Sequence, residues 1–396
     1  MLVAKWIRAG ALAALVFASD ARAAQDDAAI EAAVKRSDAL IAQQRFDEAI
    51  ELLTPHADSG RADVEYSLAY LHMSVAVDGK APGAVSADAI RPAIEFATRA
   101  AGHGRAEGWN VLYMIHGNGW GVAPDTAKAL AYLRRGADAG DHSAMLNYAI
   151  QAQNGSPLMQ RDLPTACRLF ARLADDPQVG ATVAYYRGIS LFRGDCDAPA
   201  DRKGGMELVA VAARSGMRDA ERDLARGYEE GWVASPDLAQ AMEWYRKAAD
   251  HGDPRAQWRL GMAYLNGETV ARDRDRALAL FRASAASDDL DGLTSLAVMH
   301  ATGDGVPQDF AEARRLYQRA ADLGGVHALQ NLAVMAMQGE GEPRDPVKAQ
   351  VLYRQSIELG DVDHPELERT IEESLDRSQR KEAERRLEAW RRQREG

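Results

Sequence analysis

Three features of the sequence predict an all-α chain whose antiparallel helix hairpins stack in chain order as a right-handed α-solenoid superhelix. The first is a period. A small residue opens a helical pattern at Ala220, Ala256, Gly292 and Ala328, 36 positions apart each time. Upstream the same marker stands at Val183, Ala144, Gly108 and, with a poorer match, Ala62, at intervals of 37, 39, 36 and 46 residues. A fixed period this long signals stacked units, each unable to bury its apolar faces alone. The second feature is punctuation: "AADHGDPRAQWRLGMAYLNG" (248–267) breaks a helical pattern at Gly252 and restarts it at once, and "AADLGGVHALQNLAVMAMQG" (320–339) repeats the device. The third is composition. Aromatics are 7% of the chain, and Val, Ile and Thr never gather in alternating runs, which favours helix over sheet.

Residues 1–23, "MLVAKWIRAGALAALVFASDARA", place Lys5 and Arg8 before an apolar run from Ala9 to Ala18 and end on Ala21-Arg22-Ala23. The run is about ten residues, too short for a bilayer span, and the small-x-small ending predicts a secretory signal cleaved near Ala23. The expected location is the periplasm, or the exterior if the chain is released. No later stretch reaches 18 consecutive apolar residues, so no transmembrane segment is expected in the mature chain. Residues 24–60 read as a divergent N-terminal helical hairpin, 61–360 as the repeat array, and 361–396 as a capping helix with a charged tail. The cap is read from Leu367, Ile371 and Leu375, an apolar stripe at i+4 spacing.

Within each unit the same demands recur. Four residues after the marker stands a core residue (Leu112, Tyr148, Leu224, Leu260, Leu296, Leu332), and the next is small (Ala149, Gly188, Ala225, Gly261, Ala297, Ala333) so that a second helix approaches closely. Glycine closes the first helix at Gly119, Gly155, Gly194, Gly231, Gly267, Gly303 and Gly339. Asp125, Asp237, Asp273, Asp309 and Asp345 stand where a second helix begins and can cap its free N–H groups. Two units depart from the pattern. Tyr113 replaces the small residue after Leu112, and Gly204-Gly205 inside a second helix predicts a bent or late-folding unit. The insertion "VDGKAPGAVSADA" (77–89) reads as an exposed loop.

The pattern A-x-x-x-L-G-x-x-Y-x-x-G-x-x-V-x-x-D-x-x-x-A-x-x-x-F, from Ala256 to Phe281, resembles a Sel-1-like repeat, a relative of the tetratricopeptide repeat. "GDGVPQDFAEARRLYQRAADLG" (303–324) resembles it more closely still, and Gly119-Trp120-Gly121-Val122 keeps the family's Gly-x-Gly-Val turn. About eight such repeats are legible over 60–360, and "QRFDEAIELL" (44–53) resembles a tetratricopeptide second helix. The resemblance implies adaptor roles in envelope processes, signalling or host contact.

The chain carries a net charge of −11, which disfavours nonspecific binding to nucleic acid or anionic membrane. No phosphate loop, His-Glu-x-x-His, Gly-x-Ser-x-Gly or calcium loop occurs, and "HGNGWG" (116–121) reads as a repeat turn. No catalytic residue, cofactor or metal is expected. Cys167 and Cys196 are the only cysteines and fit no zinc spacing. In an oxidising compartment they are either paired or two inert thiols.

Chemistry is therefore sought on the surface. By analogy with related arrays, residues two and six after each marker face the inner side of the stack. Asn110, Tyr185, Arg222, Trp258 and Gln330 come from the first row, Arg226 and Met262 from the second. Aromatics and arginine dominate binding energy at interfaces. The expected function is a non-catalytic scaffold, monomeric, binding a protein or peptide of the cell envelope on this concave face. The alternative is a protein that binds or hydrolyses an envelope polymer such as peptidoglycan or polysaccharide. Residues 376–396 carry eight bases and five acids and read as a solvated, fraying helix, or as a docking tail for an acidic partner.

Overall fold

The computed structural model describes residues 26–156, 159–196, 199–232 and 234–395. The expected export signal at 1–23 lies outside them. Contacts divide the chain into two compact units: one runs to Arg187 and takes back Gly194–Pro199, the other comprises Gly188–Arg193 and Ala200–Gly396. The first unit holds α1 (26–42), α2 (Phe46–Leu53), α3 (Ala62–Val77), α4 (Ala87–Gly102), α5 (Glu107–Asn118), α6 (Thr126–Asp138), α7 (His142–Asn154), α8 (Leu163–Arg172) and the start of α9 (Gly180–Arg193). The second holds the end of α9, then α10 (Arg202–Arg214), α11 (Arg218–Glu230), α12 (Leu238–Asp250), α13 (Pro254–Asn266), α14 (Arg274–Ala286), α15 (Leu290–Thr302), α16 (Phe310–Asp322), α17 (Val326–Gln338), α18 (Pro346–Glu358), α19 (Pro365–Glu373) and α20 (Arg377–Glu395).

Each unit is a file of hairpins in chain order. In the first, α3 packs on α4, α4 on α5, and so on through α8; in the second the file runs from α10 to α18. First helices also touch their counterparts one hairpin on, as α5 does α7 and α13 does α15. Among the described residues there is no strand, only an isolated bridge between Ser156 and Met159. None of the described helices is long and apolar enough to cross a membrane.

The local signals act as read. Asp125, Asp237, Asp273, Asp309 and Asp345 each accept a hydrogen bond from the backbone N–H three residues on. Asp162 and Asp201 cap α8 and α10 in the same way, and Asp141, Asp253 and Asp289 cap first helices. Such caps contribute about 1 kcal/mol each. The inter-hairpin turn takes left-handed backbone at Gly252 and its counterparts Gly216, Gly324 and Gly360. Between them Asp288 adopts φ 59° without help from glycine, a place where an aspartate tolerates that conformation.

Packing is organised by large-against-small pairing across each hairpin. Phe281 on α14 is fully buried, and a Cβ built on Gly261 of α13 would stand 2.7 Å from its ring. Ala225 with Tyr245, Ala297 with Tyr317 and Ala333 with Tyr353 repeat the arrangement, each pair within one core cluster. The α5–α6 hairpin inverts it: Tyr113 is the large member on the first helix, and Leu133 stands where α8, α12, α14, α16 and α18 carry an aromatic.

The Gly204-Gly205 pair does not interrupt its helix: α10 runs unbroken for 13 residues. Gly205 faces Gly188, and a Cβ on Gly205 would lie 2.6 Å from the Gly188 carbonyl oxygen and 2.7 Å from the Phe192 nitrogen. The helix propensity given up is the condition for bringing two backbones together. At the C-terminus one expectation is corrected: the charged stretch read as a solvated, fraying helix is α20, and it packs on α18. Ile371, Leu375, Ala383 and Leu387 are all buried, and Arg391 pairs with Glu358 of α18. The charged stretch carries its own apolar stripe at i+4.

Cys167 on α8 and Cys196 just after α9 form a disulfide, with a Cα–Cα distance of 5.8 Å. Beside it Arg161 reaches Asp195 at 3.0 Å.

Candidate binding groove

Three of the residues selected from repeat register meet in the second unit. Arg222 and Arg226 of α11 and Trp258 of α13 line a groove of 290 Å³, together with Asp291 of α15. Successive first helices thus build one wall, as the register predicts, and Tyr245 of α12 closes it from behind.

Most of the charge in the groove is internally engaged. Arg222 donates to Asp219, Asp223 and Asp253 at 2.9, 3.1 and 3.0 Å. Burial opposes its charge, but Asp223, Asp253 and Asp219 outweigh that and hold the guanidinium above its ordinary value. Because Asp253 also caps α13, Arg222 ties two hairpins together. Arg226 donates to Glu230 at 2.6 Å and lies over the Trp232 ring, whose indole N–H donates to the same carboxylate at 2.7 Å. Glu229 accepts from the Tyr245 hydroxyl and from Arg259, both at 2.6 Å. Burial first, then the Glu229 hydrogen bond, pushes the Tyr245 phenol up.

Trp258 is partly buried, and its indole N–H donates to Ser295 Oγ on α15 at 3.0 Å. That bond holds the ring across the α13–α15 boundary. Two charges along the groove are different from the rest. Arg255 and Asp291 are exposed, and neither makes a hydrogen bond or an ion pair within 4 Å among the described residues. Desolvation by the helix walls and the nearby Asp289 raise the Asp291 carboxyl, while Arg255 and His327 pull the other way.

The remaining candidates go elsewhere. Met262, one turn beyond Trp258, packs against the core around Phe281, as Trp258 also does, but does not line the groove. Gln330 is buried and donates to the Val362 carbonyl at 2.7 Å, so it braces the stack. Asn110 and Tyr185 belong to the first unit; Tyr185 sets its ring edge against Tyr186 there. The register missed Arg255, Arg259, Glu229 and Asp291. A signal for two of them existed: Asp219, Arg255, Asp291 and His327 stand immediately before successive markers, and the first three alternate in sign.

No group of three or more His, Cys, Asp or Glu among the described residues is placed to hold a metal. A recess of 450 Å³ beside Tyr113 and Leu133 and one of 380 Å³ under α20 also occur, and neither gathers the candidate residues. In the latter, Arg354 and Arg391 are engaged by Glu368, Glu372 and Glu358.

The model of the Sel1 repeat matches residues 113–141, 142–176, 218–253, 254–289, 291–325 and 326–361, more than half of the chain. The chain belongs to the Sel1 repeat family. Members of this family are generally protein–protein interaction scaffolds and typically not enzymes. The model leaves unmatched the stretch with the 77–89 insertion and the one with Gly204-Gly205. Among solved structures, a protective antigen of uropathogenic Escherichia coli with a Sel1-like repeat fold is 24% identical, with a TM-score of 0.69 over 88% of this chain and 74% of that one. A Sel1 repeat protein of Oxalobacter formigenes is 27% identical, with a TM-score of 0.56 over 81% of this chain and 90% of that one. A comparison with curated proteins gives no match.

Proposed function

We propose that this Sel1 repeat chain is a non-catalytic adaptor that holds a protein or peptide partner in the α11–α13–α15 groove. The observation that carries the reading is Trp258. It has no duty in the repeat pattern, sits on the middle helix of three, and keeps part of its ring open while its N–H is fixed by Ser295. A rigid aromatic held this way offers contact area at little entropic cost. Arg226 and Arg255 flank it. Arg222 acts as a brace, since three carboxylates already claim it.

The proposed setting is the cell envelope after export. The basic, apolar and small-residue succession at 1–23 supports it, and so does the Cys167–Cys196 disulfide, since such bonds persist in oxidising compartments. The test is photocrosslinking in the producing cell. A photoreactive amino acid at position 255, in the groove, should trap a protein adduct that the same group at exposed position 211 on α10 does not. Equal adducts from both positions, or none from 255, refute the groove assignment. Turnover of purified muropeptides above a denatured control would replace the adaptor reading with that of an envelope-polymer hydrolase.

A further inference from the structure

The groove reading says where a partner lies; the two unengaged charges say what it carries, and this inference rests on that reading. Arg255 stands one turn ahead of Trp258 on α13. Asp291 stands one turn ahead of Ser295, the indole's hydrogen-bond partner, on α15. The pair therefore forms one edge of the groove, with the ring one turn further along, bridging the same two helices. The flanking members of this register row are already occupied, Asp219 by Arg222 and His327 by Asp361. Arg255 and Asp291 attract each other but do not meet within 4 Å.

Packed helices lie about 8–10 Å apart, axis to axis. A chain in polyproline II conformation advances about 3.1 Å per residue with three residues per turn, so crossing from α13 to α15 takes about three residues and returns the side chain to the same face. We propose that the partner is a peptide segment in this conformation carrying an acidic and a basic residue three positions apart, the acid on Arg255 and the base on Asp291, with an intervening side chain turned toward Trp258. Either chain direction satisfies this pairing. The other carboxylates and guanidiniums in the groove do not compete, because each has an intramolecular partner at 2.6–3.4 Å.

The test uses the full chain and capped tetrapeptides with two leucines between the charged positions, Glu-Leu-Leu-Lys against Glu-Leu-Leu-Glu and Lys-Leu-Leu-Lys. Binding is followed by titration calorimetry. Wild type should prefer the mixed peptide by about two- to fivefold per matched charge, the range of exposed ion pairs, and lose the preference at about 1 M salt. Arg255→Glu should switch the preference to the doubly basic peptide, and Asp291→Lys to the doubly acidic one. Both positions are exposed, so neither change disturbs the core. A merely structural role for the pair would not invert selectivity. If the peptides bind equally well and Trp258→Ala weakens all of them, the charge code is wrong and the groove reading survives. If no peptide binds, or binding ignores Trp258→Ala, both readings fail.

Discussion

Replacing Gly205 by alanine sets two known effects against each other, and the structure decides the sign. In a helix interior alanine is favoured over glycine by about 1 kcal/mol, so propensity alone predicts a more stable protein. The added Cβ, however, would stand 2.6 Å from the Gly188 carbonyl oxygen, 2.7 Å from the Phe192 nitrogen and 2.9 Å from the Phe192 Cβ. Two of these are backbone atoms and cannot rotate away. Overpacking of this kind costs about 1–3 kcal/mol and sometimes more. Two fixed backbone atoms inside 3.0 Å put the cost in the upper part of that range, about 2–3 kcal/mol, so the net expectation for Gly205→Ala is a loss of about 1–2 kcal/mol, with the unfolding midpoint of the second unit lower by about 2–8 °C for a unit of its size. Gly117→Ala is the control. Its Cβ would meet only the Ala129 Cβ at 3.6 Å, ordinary contact, so propensity should prevail and stability should rise by about 0.5–1 kcal/mol. Differential scanning calorimetry reads both, with hydrogen exchange on α9 and α10 for Gly205→Ala and on α5 and α6 for Gly117→Ala. An unchanged or raised midpoint for Gly205→Ala would refute the claim that backbone approach selects the glycine.

Three further outcomes are expected. Replacing Cys167 and Cys196 by serine removes a link across 29 positions, which in the chain-entropy model lowers stability by about 3–4 kcal/mol, read as a lower denaturation midpoint confined to the first unit. Phe281→Ala empties a fully buried site opposite Gly261 and should cost about 3–5 kcal/mol in chemical denaturation. Asp291→Asn should raise the melting temperature at pH 7. Desolvation raises the folded-state carboxyl above its ordinary 3.8, so its ionisation opposes folding at higher pH; the advantage of the variant should shrink as pH falls through that raised value and vanish below 3.8. A gap that widens on acidification would reverse the sign of this argument.

What could be read from the sequence was what acts locally or repeats. Asp273 caps α14 and Gly252 ends the preceding hairpin because each position carries its own backbone requirement, and a 36-residue period multiplies the signal. The convergence of Arg222, Arg226 and Trp258 was legible for the same reason, since register fixes the face of a helix. What escaped was relational. That Gln330 turns inward depends on the Val362 carbonyl, 32 residues away in a loop with no periodic counterpart. That Arg222 braces and Arg255 stays open depends on which carboxylates the neighbouring hairpin supplies, and an acidic chain offers many. The reason for a glycine at position 205 escaped as well, because propensity speaks of one helix, whereas that glycine answers to two.

The inverted pairing of Tyr113 with Leu133 limits how this molecule can be recombined. A chimera joining α5 to α14 would press a phenol against the Phe281 ring, and the reciprocal splice of α13 onto α6 would leave Gly261 opposite a leucine, with a void between them. Whole hairpins are therefore the smallest interchangeable parts, and a duplication or deletion should be tolerated only when its breakpoints fall in the turns between them.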